Sequence, residues 1–231
     1  MTHRSRRTKC WTEAPVGPFR TLETVLAGAR STWALSDKPM TIDSYLERLY
    51  VEGRQNDSSN TRRSEMMLNI TPSTGVFLDL LVSELKPKRI LELGTSNGFS
   101  TIWIARAARK IHAQVDSVDI SRDKIHLARK HLTECQLQDI AALHVADCGE
   151  FLRACDTETY EFVFLDSDRT AYSGWAVDLV RATRFGLIVV DNATTHPKEL
   201  LDFKRCLSDE LGFSVSVLPI GNGQMIVQKV G

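Results

Sequence analysis

The chain lacks an excess of either charge: 29 Lys and Arg balance 29 Asp and Glu over 231 residues. A neutral molecule creates no field that gathers phosphate backbones or anionic lipid heads, so neither nucleic acid nor a membrane surface is expected as a partner. Cysteine is sparse as well. Cys10, Cys135, Cys148, Cys155 and Cys206 are scattered, and none stands in a C-x-x-C pair. That argues against zinc or redox-pair spacing and for reduced thiols in a cytoplasmic protein. No apolar run approaches the roughly 18 residues that a membrane span needs, and no secretory core is seen, so a soluble protein is expected. Arg4, Arg6, Arg7 and Lys9 precede the first acid, Glu13. Without an apolar helical face beside them, they read as a basic tail rather than an organelle transit peptide. Internal repeats and low-complexity segments are missing too.

What is present is an alternation of patterns. Residues 19–30 and 41–52 read as short helices outside the core, the second opened by Thr41 with Asp43 in its first turn. Residues 53–63, polar throughout, have no apolar periodicity and read as a mobile connector or a flap over a site. Thr71-Pro72-Ser73 opens a helix to about Leu85, with Val76, Phe77, Leu80 and Leu81 on its expected buried face. Strand patterns then fall at 89–93, 115–120, 140–145, 161–166 and 186–191, with helices expected at 98–110, 121–137, 147–155 and 171–183. Continuous Val, Ile, Leu and Phe runs alternating with helices imply an α/β fold with a parallel, doubly wound sheet. A helix at 197–210 follows. Strands at 213–218 and 224–230 are joined by Pro219-Ile220-Gly221-Asn222-Gly223, a hairpin that makes the last strand antiparallel to the rest. Residues 1–64 form a tail, helices and loop suited to covering a substrate or making dimer contacts, and 65–231 form the catalytic domain.

The chemistry centres on Ile90 to Ser100, I-L-E-L-G-T-S-N-G-F-S. A strand ends at Gly94, a second glycine follows at Gly98, and a helix begins. Such a turn brings bare backbone and a helix N-terminus to a nucleotide-like ligand, although an ordinary tight strand-to-helix turn has the same look. Ligands of doubly wound sheets bind beyond the carboxyl ends of the strands, where this chain places its acids. Asp119 can accept ribose hydroxyls or cap the next helix. Asp147 can meet a base edge or cap in the same way. Asp166 and Asp168 end the fourth strand, and Asp191 with Asn192 end the fifth. If Asp166, Asp191 and Asn192 converge, their three oxygens suit a hard divalent ion; the alternative is that each caps a helix.

These motifs, with V-D-S-V-D-I, F-V-F-L-D-S-D-R, L-I-V-V-D-N and I-G-N-G-Q-M-I-V-Q-K, resemble the metal-dependent class I S-adenosylmethionine O-methyltransferases typified by catechol and caffeoyl-CoA O-methyltransferases. The resemblance covers about residues 65–231. It implies a Rossmann-like seven-stranded sheet ordered 3-2-1-4-5-7-6, and cofactor contacts from Glu92, Gly94, Ser100, Asp119, Asp147, Asp166 and Asp168. It also implies metal ligation (Mg²⁺, Mn²⁺ or Ca²⁺) by Asp166, Asp191 and Asn192, catalytic roles for Asp166 and Arg169, a small hydroxylated substrate and a homodimer. Two departures stand out. Arg169 occupies the place of a lysine regarded as the general base. Deprotonating arginine at pH 7 costs about 8 kcal/mol against about 4.6 for lysine, so Arg169 is a poor base and suits holding an oxyanion. Thr74 stands where relatives have an acid. Two rivals are a nicotinamide-dependent oxidoreductase, which would require a G-x-G-x-x-G that Thr95 and Ser96 interrupt, and a non-catalytic module that keeps the pocket.

Overall fold

A computed structural model describes residues 41–229, the side chains of Arg184 and Phe185 excepted. The expected helix at 19–30 and the basic tail lie outside the described residues. Strands β1 (Arg89–Leu93), β2 (Gln114–Asp119), β3 (Ala141–Val145), β4 (Tyr160–Leu165), β5 (Thr183–Val190), β6 (Phe213–Leu218) and β7 (Gln224–Lys229) form one sheet, in the order β3-β2-β1-β4-β5-β7-β6. The first five pair in parallel, whereas β7 runs antiparallel to both β5 and β6. This is the order and the reversal expected.

Each central strand is buried on both faces, which is why its sequence is a continuous apolar run rather than an alternation. Ile90, Phe162, Phe164 and Val189 face one core, while Leu91, Leu93, Val163, Leu165, Ile188 and Val190 face the other. Helices α1 (Ile42–Ser59), α2 (Pro72–Leu85) and α3 (Phe99–Lys110) supply residues to the first core. Helices α5 (Cys148–Ala154), α6 (Tyr172–Ala182) and α7 (Leu201–Arg205) supply the second, and α4 (Arg122–Glu134) follows β2.

The structure corrects three expectations. The helix at Thr41 runs to Ser59, through most of the segment read as a connector, and it belongs to the core, with Tyr45, Leu46 and Leu49 buried. Its start is fixed by a reciprocal cap: Thr41 Oγ1 accepts the Ser44 N–H at 3.2 Å, and Ser44 Oγ accepts the Thr41 N–H at 3.0 Å. The polar residues that hid its second half make tertiary bonds instead of a loop, as described below. Second, the buried face of α2 is corrected at two of its four expected positions, since Phe77 and Leu81 do pack against the first core. Val76 and Leu80 are 57% and 54% exposed, while Thr74, Gly75, Leu78 and Val82 point inward. Apolar spacing alone cannot say which of two neighbouring stripes meets the sheet, because small and polar residues pack there too. Third, the helix expected at 197–210 is helical only from Leu201, and its last residues, Cys206–Glu210, form a π turn.

Truncation on α2 distinguishes the two stripes. Leu78→Ala should destabilise the fold by about 2–5 kcal/mol, whereas Val76→Ala should stay within about 0.5 kcal/mol of the parent. Equal shifts of the urea midpoint would contradict this orientation.

Candidate functional site

The glycine turn is built by close approach. Gly94 has φ 109°, and a Cβ there would overlap the backbone carbonyl of Asp166, so no larger residue fits. Its N–H and that of Thr95 both donate to the Val118 carbonyl, at 2.9 and 3.2 Å, and the Asp166 N–H donates to the Leu93 carbonyl at 3.0 Å. The turn is thereby locked to the ends of β2 and β4. Gly98, also left-handed at φ 83°, caps α3 and lies against Ala128 of α4.

Beneath the turn, Glu92 is fully buried. Its Oε1 accepts the Ser100 hydroxyl at 2.6 Å, and its Oε2 accepts those of Thr101 and Ser117, each at 2.5 Å. Burial pushes its carboxyl up to about 7, against the pull of those three donors. The two expected cofactor contacts, Glu92 and Ser100, are therefore bonded to each other, where they brace β1 against α3 and β2.

Asp119, at the end of β2, accepts the Ser96 N–H on Oδ2 and the Ser121 N–H on Oδ1, both at 2.8 Å. Ser121, not Asp119, caps α4. Each carboxylate oxygen has a second lone pair for a hydroxyl donor. Asp147 does cap α5, accepting the Glu150 N–H at 2.9 Å. Beside it, Trp175 packs on Tyr172 with ring centroids 5.6 Å apart and lies against Gly149, so it is a partly buried anchor near the Asp147 end.

A strap absent from the sequence expectations crosses near this turn. Asp57, near the end of α1, accepts the Met67 and Leu68 N–H groups at 2.7 and 3.1 Å, and Asn56 accepts Met67 N–H at 3.0 Å. Lys124 of α4 donates to the Met66 carbonyl, and Ser96 Oγ donates to the Met67 carbonyl at 2.8 Å. Because Ser96 also binds Asp119, the strap and the ribose candidate share one residue. No sequence periodicity marks Asp57 or Lys124, since their partners are backbone atoms of a distant segment.

At the next two strand ends, the residues expected to gather do so. β4 and β5 are paired with Leu165 opposite Val190, which sets Asp166 beside Asp191. Asn192 Nδ2 donates to Asp166 Oδ1 at 2.9 Å from a left-handed backbone, φ 68°. Burial first, and the charge of Asp191 next, raise the Asp166 carboxyl well above the usual range; Arg169 opposes them. Burial likewise raises Asp191, against hydrogen bonds from the Asn192 backbone and Gln224. Two carboxylates and an amide are hard oxygen donors of the kind Mg²⁺ takes, and half a turn of the Asn192 amide presents its oxygen. Among the described residues no group of three or more His, Cys, Asp or Glu is placed to hold a metal, so a cation here would rest on two acids, the amide, water and substrate.

The remaining expected residues are nearby but engaged. Asp168 turns to Thr170, accepting its hydroxyl at 2.7 Å and its N–H at 3.1 Å, and those bonds hold its carboxyl below the usual range. Arg169 is buried, and its Nε donates to Glu199 Oε2 at 2.7 Å. That contact holds the Glu199 carboxyl low. Arg63, from the short 3₁₀ turn Arg63–Glu65, adds a second positive charge that acts on Asp166, Asp168 and Glu199. The ring of nearby His196 meets the Thr195 hydroxyl at 3.0 Å, and its backbone N–H donates to the Asn192 carbonyl at 2.9 Å.

A doubly wound sheet with a glycine turn and an acid at two strand ends, and an acid pair at the next two, places the chain among the α/β proteins whose ligands bind beyond the carboxyl ends of the strands. Within that class the chain belongs to the O-methyltransferase family, whose model matches residues 40–230. A catechol O-methyltransferase of Mycobacterium tuberculosis is 33% identical over 126 residues, 53% of this chain and 56% of that protein. Another, of Niastella koreensis, is 30% identical over 137 residues, 58% of this chain and 62% of that protein. The matched part thus spans 56% and 62% of these two relatives' lengths. An O-methyltransferase from Bacillus cereus, solved in complex with SAH, superposes with a TM-score of 0.67 at 22% identity, covering 89% of this chain and 97% of that one, which shows the shared fold.

The buried Glu92 makes stability depend on pH. Its folded pKa, about 7, lies above the reference 4.5, so the folded state holds the proton more tightly between those values. Its contribution is complete below pH 4.5 and is lost as pH rises through about 7. Glu92→Gln should remove this dependence, gaining on the parent by on the order of 3 kcal/mol across that window. Urea denaturation of both proteins at pH 5 and pH 8 measures it; parallel curves would refute the buried, proton-binding carboxyl.

Proposed function

We propose that the protein is an S-adenosylmethionine-dependent O-methyltransferase acting on a small acceptor with vicinal oxygens, such as a catechol, with a divalent ion at the acid rim. The observation that carries this reading is the meeting of Asp166, at the end of β4, with Asp191 and Asn192, at the end of β5, next to the β1 strand that turns at Gly94. When bound, the cofactor supplies a methyl group on a positively charged sulfur, and a divalent ion supplies charge that acidifies an acceptor hydroxyl.

The chain's own residues do the rest. Gly94, without a side chain, lets the Asp166 backbone pack against the turn and so sets the end of β1 against the end of β4. Asp119, held by two N–H groups, accepts ribose hydroxyls and fixes the nucleoside end. Asp166 and Asp191 offer carboxylate oxygens at adjacent strand ends for a cation to share, and the Asn192 amide, bonded to Asp166, adds a third donor. Arg169 acts as a fixed positive charge and hydrogen-bond donor toward an acceptor oxyanion, not as a base. Its Nε is engaged by Glu199, which leaves the terminal NH₂ groups as the donors for that task. Because methyl transfer cancels opposite charges, rate enhancement should come from alignment and from ionising the acceptor at neutral pH.

Two measurements test this reading. Asp119→Ala should weaken S-adenosylhomocysteine binding by about tenfold or more, the loss of a charged hydrogen-bond acceptor; calorimetry showing the parent's affinity would remove Asp119 from the pocket. Methylation of a catechol panel should need added Mg²⁺ and stop with EDTA, and Asp191→Ala should abolish it. Turnover that ignores both EDTA and the substitution would leave the rim without its proposed ion.

A further inference from the structure

Gln224 is the first residue of β7, directly after the hairpin turn, and its side chain is wholly buried. Its Nε2 donates to Asp191 Oδ1 at 2.5 Å and also reaches Thr74 Oγ1 at 3.2 Å and the Ile220 carbonyl at 3.3 Å. Its Oε1 is buried with no hydrogen-bond partner. An orphaned buried carbonyl costs about 1–3 kcal/mol, which an apolar side chain of similar size would avoid. Turning the amide over offers no escape, because Oε1 would then face the Asp191 carboxylate, acceptor against acceptor. With Asp191 ionised, the amide has a single orientation, NH₂ toward the acid.

The other end of the link is equally fixed. Thr74 lies in the first turn of α2, fully buried, with its hydroxyl 3.0 Å from that of Thr71, which caps the helix. Gly221 of the hairpin turn lies directly against both hydroxyls. Asp191 is therefore tethered through one amide to the start of α2, an element more than 100 residues away in sequence. Thr74 is also the position where the family resemblance leads one to expect an acid, so the departure noted in the sequence is half of this tether.

We infer that Gln224 is a positioning residue for the acid rim: by binding one oxygen of Asp191, it fixes the carboxylate rotamer and keeps its remaining lone pairs for a cation shared with Asp166 and Asn192. The inference rests on the reading that the rim holds a divalent ion. Gln224 touches neither cation nor substrate. It acts through Asp191, as outer hydrogen bonds to ligating carboxylates generally do.

Mn²⁺ is the probe, titrated into the full chain while electron paramagnetic resonance reports the free ion. Gln224→Leu and Gln224→Met, which keep the volume and remove the donor, should weaken Mn²⁺ binding by about 10- to 100-fold. Thr74→Val, which frees only the far end of the tether, should weaken it less. S-adenosylhomocysteine affinity, read by calorimetry, should stay within about twofold in all three, since Gly94 and Asp119 lie at other strand ends. Parent-like Mn²⁺ affinity in both Gln224 variants would overturn the positioning role while leaving the proposed function intact. Mn²⁺ and S-adenosylhomocysteine binding lost together, with a lowered thermal midpoint, would mark Gln224 as purely structural. A parent that binds no Mn²⁺ would overturn the metal reading and this inference with it.

Discussion

The site depends on one electrostatic constraint: two carboxylates, Asp166 and Asp191, held side by side at the ends of adjacent buried strands. The register that pairs Leu165 with Val190 leaves them no freedom to separate. Like charges in a poorly solvated place repel and resist ionisation, and both acids are accordingly shifted toward the protonated form. The neighbours can be understood as responses. Asn192 donates to one acid and Gln224 to the other, while the buried Arg169 brings a positive charge that Glu199 holds in place. A cation of the kind proposed would complete that neutralisation.

The glycine-turn end of the sheet follows the same physics with a different solution. Among the described residues Glu92 is as deeply buried as any acid, and the groups that bond its carboxyl are three hydroxyls. Hydroxyls can donate to a carboxylate or rotate to serve a carboxylic acid, so the cluster tolerates either state of Glu92 without moving the backbone. The turn above stays rigid: Gly94 is locked to Val118, and Ser96 is shared between Asp119 and the strap at Met67.

Much of the fold was legible because its signals are local. Strands β1 to β7 fell within a residue or two of their expected bounds except at β5, which begins earlier, since runs of β-branched and aromatic residues between turn residues have few other uses. The second half of α1 was hidden because Asn56 and Asp57 look like loop residues until their partners at Met67 and Leu68 are known. On α2, Phe77 and Leu81 meet the core as expected, but Val76 and Leu80 face outward because Thr74 and Gly75 are buried for contacts with Gln224 and Trp103, which no helical period encodes. At the site, the acids at strand ends were found by position alone. Arg63, Glu199 and Gln224 were not, as each acts on a residue far from it in the chain.

The sequence by itself determined the alternation of strands and helices, the glycine turn and the placement of acids where strands stop, because each of these is written within a few consecutive residues. Only the tertiary structure decided which of those acids face one another, which are spent on caps and on hydroxyls, and that Gln224 and Thr74 reach the rim. Those outcomes depend on strand order, register and helix rotation, which arise when distant segments compete for the same buried space and the same hydrogen-bond donors.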